Sequence, residues 1–293
     1  MQIESLKVYC DVAESQSFTK AAQINGVTQS AVSQTTSALE RRFKSRLIER
    51  SRKRFRLTRE GEAVYDHAKK ILSLYAALGD RMAEIKDIIS GNIRLTTVYS
   101  IGLHDLPPYI TKFLQSYPTV NVHVEYRRAN EVYDDVLSNV VDLGLVAYPT
   151  KANGLDIVPL RKDPLVLICH PQHPLAKLPS VKLKALAGQK FVNFEADIPT
   201  RKALDRAFRD RKMQVVNVME FDNIETVKRA VEIDAGVSIV PEVTVRQEVS
   251  NGTLVAVPFE EKGLERPLAV VCKQHKTLSP AMKQFIVVLK QPL

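Results

Sequence analysis

Gln29, Ser30, Ser33 and Gln34 stand at i, i+1, i+4 and i+5, so a helix would carry them along one side. Amide side chains pair bidentately with adenine, and hydroxyls serve bases or phosphates; this is the chemistry of reading base edges in a major groove. The bland alternative is a solvated polar face. The charge just downstream decides between them. Residues 41–59 hold ten cations (Arg41, Arg42, Lys44, Arg46, Arg50, Arg52, Lys53, Arg54, Arg56 and Arg59) and one anion, Glu49. The whole chain, with 42 Lys+Arg and 33 Asp+Glu, has a net charge of +9, so this block holds the entire excess. A basic block on an otherwise neutral chain is a docking surface for a polyanion. Arg50, Arg52, Lys53 and Arg54 are expected on phosphates or in a flanking minor groove, where they supply affinity but little sequence information. Arg41, Arg42 and Arg56 either pair locally or stay solvated.

Other chemistry is harder to find. His170 and His173 have a metal-like spacing, but each precedes a proline, and the stretch reads as a loop. His104-Asp105 and Asp134-Asp135 offer acid and base groups with no nucleophile placed beside them. Cys10, Cys169 and Cys272 are far apart and odd in number, which suits a reducing cytoplasm and gives no disulfide framework. The 11 glycines are all too widely separated for a dinucleotide fingerprint, a phosphate-binding loop or a nucleophile elbow. No catalytic residue, metal or cofactor is therefore expected.

The elements that must position these residues are read from periodicity and punctuation. Ile3, Leu6, Tyr9 (or Cys10) and Ala13 predict a first helix to about Glu14. Ser17 is the expected cap of a short second helix, Asn25-Gly26 a turn, and Thr28 the cap of a third helix running past Leu39 to Phe43. Two helices joined by a tight glycine turn make a helix-turn-helix. Leu47-Ile48 and Phe55-Arg56-Leu57 then flank a basic tip, Arg50 to Arg54, as a two-stranded wing. From 59 to 90 a proline-free helix is predicted, with Val64, Ala68, Ile71, Tyr75, Leu78, Met82, Ile85 and Ile89 alternating in steps of four and three as a dimerising heptad seam. Gly91 is its expected stop. The alternative is an amphipathic helix lying on its own core. Residues 92–293 alternate strands and helices as βαβ units with mostly parallel sheets, roughly repeated in 93–146 and 190–240. Two such lobes leave a ligand cleft at the carboxyl ends of their strands.

Composition agrees with a globular chain of two or three domains: 293 residues, 45% hydrophobic and 26% charged. No membrane-length apolar run and no signal peptide is read, so the expected place is the cytoplasm. A solute-binding protein would have an export signal and no basic module. An α/β enzyme would show a catalytic constellation or a glycine-rich loop.

Ser17-Phe18-Thr19-Lys20-Ala21-Ala22, Val27 to Gln34, Leu39-Glu40, Leu47-Ile48-Glu49-Arg50 and Leu57-Thr58-Arg59-Glu60-Gly61 resemble the N-terminal signature of LysR-type transcriptional regulators. The resemblance continues through Leu106-Pro107, Tyr117-Pro118-Thr119-Val120, Val141 to Leu145, His173-Pro174-Leu175-Ala176 and Gly236 to Pro241. It implies α/β architecture overall: a winged helix-turn-helix over 1–58, a linker and dimerisation helix over 59–90, and a two-lobed effector domain over 91–293, similar to periplasmic binding proteins. The first lobe would comprise about 91–161 and 266–293, the second about 162–265. The implied partners are double-stranded DNA at an imperfect inverted repeat, further copies of the chain up to a homotetramer, and RNA polymerase. A small-molecule effector, mildly favoured as anionic, would bend the DNA differently when it sits between the lobes. Its contacts would be Tyr99, Ser100, Arg128, Tyr148, Phe194 and Thr200, with Thr28, Gln29, Ser30, Ser33 and Gln34 on DNA. For Ser100 and Thr200 plain helix capping is the alternative. Two residues depart from the family pattern. Lys44 replaces the usual glycine after the recognition helix, costing about 1 kcal/mol if that backbone is left-handed; Ser30 replaces a common proline.

Overall fold

The structure, a computed structural model, describes residues 2–51, 54–85 and 89–292; within them the side chains of residues 50, 51, 54, 77, 80, 81 and 83–85 lie outside the description. It divides into two compact units, Met1–Ile88 and Ile89–Leu293.

The first unit contains α1 (Ile3–Ser15), α2 (Phe18–Asn25), α3 (Gln29–Phe43), β1 (Ile48–Ser51), β2 (Arg54–Leu57) and α4 (Arg59–Ile85). The expected caps form: Ser17 accepts from the Lys20 amide and Thr28 from that of Ala31. Leu6, Tyr9, Cys10, Val12, Ala21, Val32, Leu39 and Leu47 make the core, so Tyr9 and Cys10 are both inside. The Glu40 carboxylate accepts from the amides of Leu47 and Ile48 at 3.0 and 3.4 Å, anchoring the wing to α3. Gly61 lets the backbones touch: a Cβ there would lie 2.0 Å from the Leu47 carbonyl oxygen. In the hairpin Arg50 pairs with Phe55 and Ser51 with Arg54, so Arg50 and Arg54 are strand residues rather than the tip. Arg52 and Lys53 lie outside the described residues.

α4 is shorter than its pattern. Its described part ends at Ile85, and Ile89 is no seam residue: it is non-helical and packs against the core of the second unit. Gly91, at φ 115°, opens a strand instead of stopping a helix. The heptad pattern overruns the helix because an isoleucine just ahead of a strand falls by chance on its register. At the other end Val64, Tyr65, Ala68 and Leu72 belong to the first unit's core. Tyr75, Leu78 and Met82 stand 50–58% exposed.

The second unit runs β3 (Gly91–Thr97), α5 (Tyr99–His104), α6 (Leu106–Ser116), β4 (Val120–Tyr126), α7 (Ala129–Leu137), β5 (Leu143–Ala147) and β6 (Leu155–Cys169). It continues with β7 (Lys190–Phe194), α8 (Pro199–Asp210), β8 (Val216–Phe221), α9 (Ile224–Glu232), β9 (Ser238–Pro241), α10 (Arg246–Asn251), β10 (Val255–Pro258), β11 (Glu265–Lys273) and α11 (Pro280–Lys290). The sheets are not mostly parallel. β3 runs parallel to β4 and β5, and β7 to β8, but β6 is antiparallel to β9, β10 and β11, and β11 to β5. The cause is β6, 15 residues long, only whose second half reads as a strand in the sequence. Its first ten residues are mostly half-exposed or exposed and include Pro159 and Pro164, which erase the apolar signal. β6 places Val158 and Leu160 against a core built on Ile93, Phe113 and Phe285, then Leu165 and Leu167 in another built on Phe191, Leu204 and Ile239. These two cores define two lobes joined by the β6–β11 ladder.

Candidate nucleic-acid interface and effector cleft

α3 begins at the Thr28 cap, which fixes where the helix's first turn points. Gln29, Ser30 and Gln34 are exposed and Ser33 half-buried, while Val32, Thr36 and Leu39 turn inward. Ser30 and Thr28 share a hydroxyl hydrogen bond of 2.9 Å; Gln29, Ser33 and Gln34 bond to no other described side chain. Lys44 ends the helix in the left-handed conformation at φ 51°, so the strain expected of a non-glycine residue is present. Arg41, Arg42, Lys44, Arg46, Arg56 and Arg59 are all accessible to solvent, and none has an ion pair among the described residues. Among the described residues, solvation rather than local pairing is the outcome for Arg41, Arg42 and Arg56. A polar, donor-rich helix face beside unneutralised cations can bind a polyanion and read its surface.

In the second unit a cavity of about 870 Å³ gathers Tyr99, Ser100, Arg128, Tyr148, Phe194 and Thr200. Tyr99 stacks on Tyr126 at 5.3 Å. Tyr148 follows β5 at φ 51°, and burial pushes its hydroxyl up to about 12, so it is a neutral donor. Neither Ser100 nor Thr200 caps a helix: the capping positions are Val98 and Ile198. Arg128 meets Glu195, Asp197 and Asp222 at 3.0, 3.5 and 3.6 Å, Glu195 being the main cause of its raised pKa.

The cavity also includes residues that the sequence did not single out. Arg266, 1% exposed, donates to Ser100 Oγ and to Asp163, each at 2.7 Å. An arginine at the start of an apolar strand looks like any surface charge; its burial comes from the ladder that sets it opposite Asp163. Nearby, Arg161 pairs with Asp105 and lies over the Tyr109 ring at 4.5 Å. Burial raises the Asp105 pKa despite that arginine. Between the lobes, His104 Nε2 of α5 and Glu225 Oε1 of α9 are 2.6 Å apart. Lys228, fully buried, holds Glu225 at 3.0 Å and Glu248 at 2.8 Å.

His170 and His173 accept backbone N–H bonds from Gln172 and Leu175, both at 3.2 Å, as turn residues do. Among the described residues no group of three His, Cys, Asp or Glu side chains is arranged to hold a metal, and no helix is long and apolar enough to cross a membrane. The three cysteines are buried and free.

Residues 3–62 match the family described as bacterial regulatory helix-turn-helix protein, lysR family, and residues 87–293 match the LysR substrate binding domain. A curated relative, the HTH-type transcriptional activator CmpR of Synechocystis sp., is 28% identical over 97% of this chain and 93% of its own length. A full-length OxyR variant from Pseudomonas aeruginosa, 21% identical, has the same fold with a TM-score of 0.74 over 99% of this chain and 93% of its own. The regulatory domain of CcmR from Synechocystis PCC6803, solved in complex with 2-PG, is 25% identical, with a TM-score of 0.62 over 69% of this chain and 96% of its own. The helix-turn-helix with its basic wing, the two-lobed α/β unit with its cleft, and matches that together span nearly the whole chain have one reading: the protein belongs to the LysR family of DNA-binding transcriptional regulators.

Proposed function

We propose that the chain is a ligand-responsive, sequence-specific transcription factor without enzymatic activity, organised as a DNA-binding module over 1–58, a dimerisation helix from 59, and an effector module from 91. α3 lies in the major groove, where Gln29, Ser30, Ser33 and Gln34 read base edges and Thr28 fixes the approach. Arg50, Arg52, Lys53 and Arg54 hold phosphates. The exposed apolar side of α4 pairs two chains, so two recognition helices meet successive half-sites of an imperfect inverted repeat. Four chains then span two such sites and bend the DNA. A small molecule between the lobes, touching Tyr99, Ser100, Arg128, Tyr148, Phe194 and Thr200, binds one lobe arrangement better and so shifts the bend and the encounter with RNA polymerase in the cytoplasm. The complex of CcmR with 2-PG supports a small-molecule role for this kind of module.

One observation carries the reading: α3 starts with an exposed polar face, and the accessible cations at its end and just after it, Arg41, Arg42, Lys44 and Arg46, have no ion partner among the described residues. A gel shift on random DNA at low salt, then on operator candidates against competitor, tests it. A retained shift with sequence preference under competitor is expected. No shift at low salt overturns the proposal.

A further inference from the structure

Glu14, Tyr65 and Lys69 are far apart in sequence, and one carboxylate oxygen brings them together. Glu14 Oε1, near the end of α1, accepts from the Tyr65 hydroxyl at 2.9 Å and from Lys69 Nζ at 2.7 Å, both on α4. Tyr65 and Lys69 stand at i and i+4, so they share one side of α4 and reach the same acceptor. Burial, and after it Glu14, raises the Tyr65 pKa, so its hydroxyl stays a donor. A first fixing point lies one turn earlier. Tyr9 of α1, fully buried, donates from its hydroxyl to the Gly61 carbonyl at 3.0 Å, at the position where only a glycine clears the Leu47 carbonyl. The apolar contacts of Val64, Ala68 and Leu72 hold α4 on the core with little directional preference. One polar point fixes where a helix passes; two fix the line along which it runs. α1 is tied in turn to the helix-turn-helix. The Asn25 amide, at the end of α2, donates to Asp11 at 2.7 Å and to the Ala21 carbonyl at 2.9 Å, and it accepts from Lys7 at 2.7 Å. α1 is thus a rod, clamped at Asn25 to the turn before the recognition helix and at Glu14 to α4.

The length of α4 makes its direction matter. From Gly61 to Leu78 the helix rises about 25 Å, so a swing of about 10° about Gly61 displaces the exposed apolar side by about 4 Å. One base pair moves a half-site by about 3.4 Å along the duplex and turns it by about 35°. A loose α4 accepts half-sites at several separations; a fixed one accepts a single separation. Resting on the pairing of two chains through α4 proposed above, we propose that Glu14 is a positioning residue that sets the half-site spacing: by holding Tyr65 and Lys69 it fixes the direction of α4 against α1 and, through Asn25, against the recognition helix. Glu14 touches no DNA in this role, and it acts on spacing where Gln29 and its neighbours act on base identity. A surface tie suits the task. The Glu14 and Lys69 side chains are 45% and 23% exposed, so the pair adds little to stability, and removing either partner buries no lone charge.

The test uses the full chain and a duplex that it selects from a random-sequence pool. Further duplexes have one or two base pairs added or removed between the half-sites, and one carries a single half-site. Anisotropy titrations give the ratio of affinities at the selected and altered spacings. Glu14→Ala and Tyr65→Phe should each shrink that ratio about three- to fivefold and leave single half-site affinity within about twofold. Lys69→Ala should shrink it too, and it covers the case in which Glu14→Ala does not fold. Lys69→Arg, which keeps a charged donor, should preserve the ratio. So should Lys70→Ala, which removes an exposed cation one residue on, without an ion partner among the described residues. An unchanged ratio in Glu14→Ala and Lys69→Ala would overturn the assignment. So would an equal loss on every duplex, the single half-site included, because that is what a merely structural role gives. If the unmodified chain selects a repeat whose spacing the variants keep, the spacing assignment alone falls. If it selects lone half-sites, the pairing reading falls and the spacing assignment with it; if it selects no duplex, the regulator reading falls as well.

Discussion

The proposed function divides labour between reading, assigned to Gln29, and gripping, assigned to Arg52. Gln29 is exposed at the start of α3 and is uncharged, so Gln29→Ala should relax base preference at one position, worth about 1–3 kcal/mol, and leave the salt slope alone. Arg52 lies outside the described residues, in the block that carries the chain's excess charge. Arg52→Ala should weaken operator and scrambled DNA about equally and flatten the log–log salt slope by about 1. Anisotropy titrations of both DNAs across salt separate these outcomes; equal loss of specificity in both variants would refute the division. Lys44 illustrates what a sequence can and cannot say about a residue. A departure from glycine is visible in the sequence, yet only the backbone shows that φ is 51° and that the strain is accepted. Arg266 is illegible for the opposite reason: its partner Asp163 lies 103 positions away, and only the folding of one strand onto another makes it a buried side chain.

Elements with one strong local signal are legible in the sequence, and those defined by their partners are not. β4 and β7 are visible in the sequence because an alternating apolar run marks the first and a largely continuous one the second. The first half of β6 escapes such a reading because long-range pairing, not local propensity, makes it a strand. α4 mixes both: its first turns complete the DNA-binding unit's core, and beyond Leu72 its described apolar residues have nothing in that unit to cover them. Leu78 is 58% exposed, so Leu78→Glu should leave that unit folded while putting like charges into a two-chain seam. Sedimentation should show loss of dimers, with operator affinity falling steeply and half-site affinity unchanged; a dimer that survives would argue against α4 as the seam. Asp142 joins elements in another way. From the turn before β5 it accepts from the Arg94 amide on β3 and pairs with Arg94 and Lys276, at 3.1 and 2.8 Å. Burial opposes its ionisation, but the two cations outweigh burial and hold its pKa below the ordinary aspartate value. A lowered native pKa gives stability that is present above about pH 4 and is lost as pH falls through the native value. Asp142→Asn should destabilise the chain by about 2–3 kcal/mol at about pH 7 and by progressively less in acid, which urea melts from about pH 7 down to about pH 3 would measure. A constant difference across that range would show that the charge is not the source.

At the scale of the whole effector unit, the question is what sets the balance between lobe arrangements. The lobes share the β6–β11 ladder, and beyond it His104 of α5 meets Glu225 of α9 at 2.6 Å. Neither partner is deeply buried, with side-chain exposures of 20% and 39%. Burial opposes charge on Glu225, but His104 and Lys228 together hold its pKa low. Removing His104 does not strand the carboxylate, since Lys228 remains at 3.0 Å, so His104→Ala should leave the melting temperature within a few degrees. What it should change is the relative population of the arrangement that contains the pair. A partly exposed polar pair contributes at most about 1 kcal/mol, a factor of about five in that population. A ligand that favours another arrangement should then bind more tightly by the same factor, because coupling between two sites is reciprocal. The operator footprint of the unliganded variant should move partway toward the ligand-saturated pattern. Tighter ligand binding with an unmoved footprint would mean that the pair biases the cleft without reaching the DNA; no change in either would mean that the ladder alone sets the lobe balance.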